Sequence, residues 1–489
     1  MTSQEPRSLL ARARPLMLAR LAAAALSFGI PLALARAFPQ DEYGTYKLLV
    51  VVAQTLYYVL PFGMAQSLYY FLPRVANRRA WLAQTLGYLF LAGLAGALAI
   101  WFGRHTLGRL LNNPGVGTYA LQLGLYTMGL VGSMPLEVSQ TARGRTRRAG
   151  WLYVVSDGLK ALVMTLPAVL GFGLSGVMAG MAVFGLVRLA TTWIVLLRGE
   201  PGPVWDFAGV RAQLRYALPF GAAMAVAIPQ QYFHQFVVSS KLDAATFALY
   251  AVGVFQLPII DLVYTPTSEV LMVRIAELER EGRPEAAAAA FREAVGHLAQ
   301  LFVPLSVFLV VVAPEFITAL FTERYLGSVP VFRVVTLSVV LACAPLDGVL
   351  RARDQTGHIL KSYLAKAAIN VPLVLLGVTH FGMMGGVLAW LIAEVGGKAV
   401  LASRVPEALG VPGRFLVPWS GLTRSLVAAM LALGGVFAAR VALGPGVPAA
   451  LLLAAEVGGY GLGYLCGLLA VGAEIPFLPA PPPRPERAH

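Results

Sequence analysis

Apolar segments long enough to cross a lipid bilayer recur along the whole of this chain. A transmembrane helix needs about 20 apolar residues, and the sequence contains fourteen segments of about that length. Their approximate bounds are 15–36, 46–64, 80–103, 117–140, 150–172, 175–198, 214–239, 245–270, 297–321, 329–350, 360–380, 383–403, 420–440 and 446–471. They far exceed the roughly 10-residue strands of a membrane barrel, and only helices or closed barrels satisfy backbone polar groups in lipid. The sequence therefore predicts an all-α integral membrane protein with about 14 transmembrane helices.

The composition agrees with a membrane protein and argues strongly against a soluble globular enzyme of this length. Of the 489 residues, 58% are hydrophobic and 13% are charged, against about 25% charged residues in soluble proteins. A net charge of +14 would suggest nucleic-acid binding in a soluble protein. Here the Lys and Arg residues are about threefold enriched in alternate loops, as in membrane proteins with basic cytoplasmic loops. We therefore expect a multi-pass protein of the cytoplasmic (inner) membrane, with both termini cytoplasmic and no nucleic-acid partner.

Two parts of the chain repeat each other at a constant offset. Residues 142–146 recur as 352–356 and residues 176–179 recur as 386–389, so both pairs lie 210 residues apart. The offset covers six predicted helices, which is an even number, so both copies have the same orientation in the membrane. Parallel repeats of this kind are related by a pseudo-two-fold axis along the membrane normal.

The duplication predicts three parts of the chain. Residues 1–198 would form an N-terminal lobe of helices 1–6. Residues 199–403 would form a C-terminal lobe of helices 7–12, with a cytoplasmic amphipathic segment at about 271–296. Residues 404–489 would add helices 13 and 14 and a Pro-rich cytoplasmic tail.

Four short segments carry a family resemblance. Phe38–Tyr46 resembles the "peeyG" signature that follows the first helix of bacterial polysaccharide flippases. Pro314–Tyr325 resembles their P-x-I-x-x-L-F-G-x-x-Y segment, with Thr322 in place of the usual Gly. Gly173–Val177 and Gly382–Val387 resemble their G-x-x-G-V outer turns. With these four segments in this order and at this spacing, the chain resembles the multidrug/oligosaccharidyl-lipid/polysaccharide exporter superfamily. Within the superfamily it resembles the O-antigen-type branch, whose members are lipid-linked oligosaccharide flippases.

The resemblance implies fourteen helices in two lobes around a central cavity. It also implies a flippase that moves an undecaprenyl-pyrophosphate-linked oligosaccharide from the inner to the outer leaflet by alternating access, for surface polysaccharide biosynthesis. The implied partners are this polyprenyl-pyrophosphate-linked glycan, membrane lipids and other membrane proteins of polysaccharide assembly. No cofactor is expected, and coupling to Na⁺ or H⁺ is left open.

Two other transport functions also remain open. They are an ion-coupled multidrug or small-solute antiporter of the same superfamily, and a flippase for the peptidoglycan lipid precursor. The two predicted helices after residue 404 favour a lipid-linked substrate over a drug. A membrane glycan polymerase or ligase is disfavoured because the outer loops are short and carry no cluster of acids or histidines. With no phosphate-binding loop either, we predict a transporter without catalytic residues or a metal site, and not an enzyme.

Five basic residues lie within the predicted spans, where each charge costs at least about 2.5 kcal/mol on insertion scales. They are Arg20, Lys160, Arg188, Lys366 and Lys398. A cation in a dry, enclosed place attracts pyrophosphate strongly because water does not screen it, so we predict that these residues bind the substrate anion. At the offset of 210 residues, Arg188 aligns with Lys398, which suggests a two-sided anion clamp. The simpler alternatives are snorkelling of Arg20 to the interface and self-neutralising ion pairs for Lys160 and Lys398.

Four acidic residues are candidates for ion coupling: Asp157, Asp261, Glu269 and Glu394. A carboxylate removed from water holds a proton more readily than one in water. Asp157 lies three residues before Lys160, on the same helix face, so the alternative for Asp157 is an ion pair. For Asp261 the alternative is a hydrogen bond to a neighbouring helix.

Five prolines are predicted hinges: Pro31, Pro61, Pro219, Pro229 and Pro258. Proline removes a helix hydrogen bond and kinks the span, which is tolerated where the freed backbone lines a cavity. These prolines lie on predicted helices 1, 2, 7 and 8, which are equivalent in the two lobes. We therefore expect those helices to bend and to line the cavity, the alternative being the ordinary enrichment of proline in transmembrane helices.

Overall fold

The computed structural model describes residues 9–75, 77–198, 201–353 and 355–472. Within these ranges the chain forms helices and no strands, which confirms the predicted all-α fold. The chain divides into two compact units, residues 1–251 and residues 252–489. This division does not test the lobe boundaries at 198/199 and 403/404, which stay a prediction.

The first unit contains helices α1 to α10 and most of α11. Their bounds are α1 (Leu9–Ala37), α2 (Gln40–Val59), α3 (Met64–Phe71), α4 (Arg78–Leu110), α5 (Pro114–Thr118), α6 (Ala120–Gly132), α7 (Pro135–Ala142), α8 (Thr146–Val169), α9 (Gly173–Leu197), α10 (Phe207–Lys241) and α11 (Ala244–Gly253). Helix α8 packs against α1 and α9, α6 packs against α4 and α9, and α10 packs against α2 and α3. These contacts bring α2, α6, α8 and α9 together around the site described below.

The second unit contains the remaining helices. Their bounds are α12 (Pro258–Arg280), α13 (Pro284–Val311), α14 (Ala313–Phe321), α15 (Val329–Leu337), α16 (Leu346–Ala352), α17 (Thr356–Leu409), α18 (Trp419–Leu443) and α19 (Ala449–Ala470), with 3₁₀ helices at Glu323–Ser328, Ser338–Cys343 and Gly413–Phe415. Helix α13 packs against α12 and α18, α19 packs against α18 and α14, and α16 packs against α12 and α17.

The Tyr-Gly segment of the first family motif packs α2 against α11. Tyr43 of α2 and Phe247 of α11 are both buried. Gly44 lies against α11 so closely that a Cβ atom there would be 1.9 Å from the carbonyl oxygen of Ala244. Small residues allow such close approach of membrane helices, so the glycine of this motif is required by packing.

Helix α17 is a helical hairpin. Gly382 has φ 57° and ψ −139°, a left-handed conformation that favours glycine. A Cβ atom on Gly377 would lie 2.5 Å from the carbonyl oxygen of Gly385, whereas eight residues of straight helix would separate these positions by about 12 Å. The chain therefore reverses at Gly382, between the predicted spans 360–380 and 383–403.

The exact number of spans stays a prediction. In the described part of the chain, nine helices are long and apolar enough to cross a membrane, or up to eleven if each of two bent helix pairs is one span. Both numbers count residues 357–409 as one span, although this stretch is the hairpin of α17 and has two arms. The multi-pass character of the protein is clear from these helices, and the count of fourteen is not confirmed by them.

The five predicted hinge prolines fall into two groups. Pro61 lies between α2 and α3, whose axes differ by 42°. Pro258 is the first residue of α12 and follows the break between α11 and α12. Pro31, Pro219 and Pro229 lie inside continuous helices, α1 and α10. Movement at any of the five remains a prediction.

Two further prolines, which were not predicted as hinges, begin short helices. Pro135 begins α7 directly after α6, and Pro345 precedes α16. Each is followed by a leucine and an acid, Glu137 in one case and Asp347 in the other, and the two acids lie 210 residues apart. The broken helices are therefore part of the duplication, and each break places one carboxylate.

The predicted amphipathic segment 271–296 consists of the last turns of α12 and the first turns of α13. Gly282, with φ 69°, forms the turn between them. One face of the segment, including Phe291, is buried in a hydrophobic cluster with α16 and α17. Arg274 and Glu277 on the other face are 52% and 54% exposed. The segment is thus amphipathic, and it is built from two helix ends and not from one separate helix.

Candidate functional site

The first unit contains a polar cavity of 270 Å³ between α2, α6, α8 and α9, which we call the first-unit cavity. Aromatic and amide side chains on its wall include Gln54, Tyr57, Tyr58, Tyr126, Tyr153 and Phe184. Tyrosine combines an apolar ring with a hydrogen-bonding hydroxyl. A wall of this composition suits a ligand that has both polar and apolar faces.

Arg188 on α9 is the central cation of the first-unit cavity. Its Nη2 donates to both carboxylate oxygens of Glu137 at 2.8 Å. Its Nε donates to Ser133 Oγ at 2.9 Å, and its Nη1 donates to Ser156 Oγ. The arginine side chain is 16% exposed and the glutamate side chain 4%. The guanidinium is therefore fixed by charge-assisted hydrogen bonds and faces the cavity.

The other two predicted cations of the first unit have different surroundings. Lys160 Nζ donates to Asp157 Oδ1 at 2.7 Å, as the spacing along α8 predicts, and both side chains line the cavity. The guanidinium of Arg20 lies 5.2 Å from the ring centroid of Tyr153, within range of a cation–π interaction. Arg20 is exposed, so it reaches the cavity wall through this tyrosine.

The second unit contains a cavity of 310 Å³ between α12, α15, the 3₁₀ helix Ser338–Cys343 and α17, which we call the second-unit cavity. Polar and aromatic residues on its wall include Gln256, Asp261, Tyr264, Trp390, Glu394 and Lys398. This cavity thus shares with the first a combination of aromatic rings, carboxylates and a cation.

The two lysines of the second unit differ in their partners. Lys366 donates to Glu394 across the two arms of the α17 hairpin. Lys398 Nζ donates to the backbone carbonyl of Ala344 at 3.3 Å and lies 5.5 Å from the ring centroid of Tyr264. Among the described residues, no carboxylate forms an ion pair with Lys398. Its ammonium group is therefore held by a carbonyl and an aromatic ring, whereas Lys366 is held by a carboxylate.

Asp347, the acid placed by the break at Pro345, has its own partners. It accepts a hydrogen bond from Tyr264 Oη at 2.6 Å and pairs with Arg351. It also interacts electrostatically with Lys398. Asp347 therefore lies next to the second-unit cavity, beside the residue that aligns with Arg188.

The predicted site residues group around these two cavities. Asp157, Lys160 and Arg188 line the first-unit cavity, and Arg20 contacts its wall residue Tyr153. Asp261, Glu394 and Lys398 line the second-unit cavity, and Lys366 pairs with its wall residue Glu394. Glu269 is exposed on α12 and lines neither cavity. Binding by any of these residues stays a prediction.

Sequence reasoning missed Glu137 and Asp347 as members of the site. A signal for them exists, because Pro135-Leu-Glu137 and Pro345-Leu-Asp347 lie at the same offset that aligns Arg188 with Lys398. The described residues contain no group of three or more His, Cys, Asp or Glu side chains that could hold a metal ion. The residues on the two cavity walls offer ion pairing, hydrogen bonding and contact with aromatic rings.

The long apolar helices define a multi-pass membrane protein. Residues 33–330 match the family model described as polysaccharide biosynthesis protein, and the chain belongs to this family. No curated protein sequence matches the chain significantly. The family match includes the motif at Phe38–Tyr46 and that at Pro314–Tyr325, and it confirms the family that these motifs predict.

Three solved structures show how widely the fold is shared. The lipid II flippase MurJ, in an inward closed conformation, is 14% identical, with 93% of this chain and 99% of that chain covered and a TM-score of 0.74. An inward-facing multidrug resistance MATE family transporter of the MOP superfamily is 15% identical, with 80% and 95% covered and a TM-score of 0.62. A MOP superfamily transporter from Pyrococcus furiosus is 14% identical, with 82% and 96% covered and a TM-score of 0.53. This chain thus shares the fold of these flippase and transporter structures.

Proposed function

We propose that this protein is a flippase for an undecaprenyl-pyrophosphate-linked oligosaccharide. It would move this lipid from the inner to the outer leaflet of the cytoplasmic membrane by alternating access, for biosynthesis of a surface polysaccharide such as O-antigen. Membership of the polysaccharide biosynthesis family supports a glycan cargo. The fold shared with the lipid II flippase over 93% of the chain supports a lipid-linked cargo.

The observation that carries the proposal is that cations aligned by the duplication each line a partly open cavity with aromatic walls. Arg188 lines the first-unit cavity and Lys398 lines the second-unit cavity. A partly buried cation attracts a pyrophosphate more strongly than an exposed cation does, because Coulomb attraction grows as the effective dielectric falls. Tyrosine and tryptophan on the walls offer flat surfaces and hydrogen-bond donors to sugar rings.

We assign the remaining predicted residues supporting roles in the same function. Arg20, Lys160 and Lys366 would add positive charge along the path of the pyrophosphate. Asp157, Asp261, Glu269 and Glu394 would couple transport to Na⁺ or H⁺. Support for this role is strongest for Asp261, which lines the second-unit cavity and has no ion-pair partner among the described residues.

The proposal is tested by neutralising both aligned cations. The variant R188Q/K398Q is expected to lose surface polysaccharide, since its cavities no longer attract the pyrophosphate, while the protein still inserts in the membrane. The control R109Q/K241Q also removes one Arg and one Lys, but from exposed helix ends. Surface polysaccharide is measured by immunoblotting of cells that lack the chromosomal copy, and membrane insertion by the amount of protein in the membrane fraction.

Either of two results would contradict the proposal. If R188Q/K398Q exports as much polysaccharide as the unmodified protein, these cations do not have the proposed anion-binding role. Equal loss of export in R109Q/K241Q would show that the cavities have no special part in it.

A flippase for the peptidoglycan lipid precursor is a second candidate, favoured by the higher TM-score to MurJ, 0.74 against 0.62 for the MATE transporter. The two functions separate in complementation. We expect the protein to restore surface polysaccharide in cells without their polysaccharide flippase, and to leave cells depleted of the lipid II flippase unable to grow. Growth of the depleted cells would favour the second candidate.

A further inference from the structure

Glu137 engages Nη2 of Arg188, a donor that an incoming phosphate would also use. We propose that Glu137 is a built-in counter-anion, which holds Arg188 until the anionic headgroup of the cargo replaces it. This inference rests on the anion-binding function proposed above and adds to it a residue that regulates access to Arg188.

The contacts of Arg188 allow Glu137 to leave without loss of the guanidinium's orientation. Nε and Nη1 are held by Ser133 and Ser156, and only Nη2 contacts the carboxylate. Arg188 and Ser156 are on the cavity wall, whereas Glu137 is 4% exposed and is not among the residues that line the cavity. A planar guanidinium anchored on two sides can present its remaining donors to a phosphate oxygen.

The second unit contains the equivalent pair in a different arrangement. The offset of 210 residues aligns Glu137 with Asp347 and Arg188 with Lys398. Asp347 accepts from Tyr264 Oη at 2.6 Å, and Lys398 donates to a backbone carbonyl at 3.3 Å. The same fold therefore holds one acid engaged with its aligned cation and one acid engaged with Tyr264 and Arg351 instead. An acid at this position does not have to pair with the cation for the unit to fold.

Three tyrosine hydroxyls are the proposed partners of the displaced carboxylate. Tyr57, Tyr69 and Tyr153 each interact electrostatically with it. A phenolic hydroxyl donates to a carboxylate, as Tyr264 does in the second unit. Glu137 also follows the helix break at Pro135, so α7 can shift without bending a continuous helix.

The test measures how tightly the full-length protein in lipid nanodiscs binds inorganic pyrophosphate, by titration calorimetry. We expect E137Q, which keeps the side-chain shape but removes the competing charge, to bind about tenfold more tightly than the unmodified protein, or about 1.4 kcal/mol. R188Q is expected to bind about tenfold more weakly, and E137Q/R188Q no more tightly than R188Q. The control D41N removes an exposed acid of α2 and is expected to leave the affinity unchanged.

The outcomes separate this inference from the function on which it rests. If R188Q weakens binding while E137Q binds equally or more weakly than the unmodified protein, the counter-anion role is overturned and the anion site stands. If R188Q binds normally, or no variant binds pyrophosphate, the anion site itself is overturned. If E137Q does not fold, E137D tests the same contact, because its shorter side chain weakens the pairing. Tighter binding by E137D supports the role, and equal or weaker binding overturns it.

Discussion

Lys366 and Glu394 illustrate the electrostatic constraint on a single residue inside this fold. Their side chains are 15% and 25% exposed, and each neutralises the other across the α17 hairpin. An exposed ion pair contributes little to stability because water already solvates both charges. When one partner of a buried pair is removed, the remaining charge is left without compensation, which is costly.

We therefore predict that E394Q destabilises the protein by about 1–3 kcal/mol, since it leaves Lys366 partly buried without its carboxylate. The double variant K366M/E394Q should recover most of this loss. The control E407Q removes an acid of the same helix that pairs with Arg404 but is 62% exposed, and should change stability by less than about 0.5 kcal/mol. Thermal unfolding of the purified proteins in detergent gives the comparison. Equal destabilisation by E394Q and E407Q would contradict the argument.

At this scale, spacing along one helix predicts some partners and misses others. The pair Asp157–Lys160 forms as the interval of three residues predicts. Glu394 and Lys398 are four residues apart, yet Glu394 pairs with Lys366, because the hairpin brings the other arm of α17 within reach. Helical periodicity describes only neighbours on the same helix, so a partner supplied by another helix cannot be read from it.

At the scale of elements, α19 completes the hydrogen bonding of a helix that contains a proline. Pro304 in α13 cannot donate the helical hydrogen bond to the carbonyl of Gln300. Tyr464 Oη of α19 donates to that carbonyl at 2.8 Å, and Tyr460 Oη donates to the carbonyl of Pro304 at 2.9 Å. Neighbouring helices that satisfy freed backbone groups in this way are what allow proline inside a membrane span.

We predict that Y464F destabilises the protein by about 1 kcal/mol, because the carbonyl of Gln300 loses this donor. In the P304A background the helical N–H is restored, so the same replacement should cost less. The double-mutant cycle is measured by thermal unfolding in detergent. A cost of Y464F that is the same in the unmodified protein and in the P304A background would show that the hydroxyl does not compensate for the proline.

The elements themselves could be predicted better than their breaks. Long apolar segments identify the helices, and glycine in a G-x-x-G-V turn marks the reversal at Gly382. The breaks at Pro135 and Pro345 are not distinguishable from the many other prolines of the chain by composition. Only the recurrence of Pro-Leu-acid at the duplication's offset separates them, and that signal gains its meaning once Glu137 is seen to contact Arg188.

At the scale of the whole molecule, the duplication and the charge bias together require an even number of spans between equivalent loops. The hairpin of α17 is the sharpest test of that requirement, because a single uninterrupted helix over residues 356–409 would reverse the orientation of everything after it. The contact of Lys366 with Glu394 already requires the two arms to lie side by side. A straight helix would hold these residues about 40 Å apart.

The corresponding prediction concerns the side of the membrane on which each end of α17 lies. Single cysteines replace Gly357, Phe381 and Glu407, which are exposed, in a background where Cys343 and Cys466 are alanine. We expect a membrane-impermeant thiol reagent to label F381C in intact spheroplasts, and to label G357C and E407C only after permeabilisation, because the chain enters and leaves on the cytoplasmic side. Detergent-solubilised protein serves as the control, in which all three must react. Labelling of G357C and E407C from opposite sides would mean that α17 crosses once, and the parallel duplication would then fail with it.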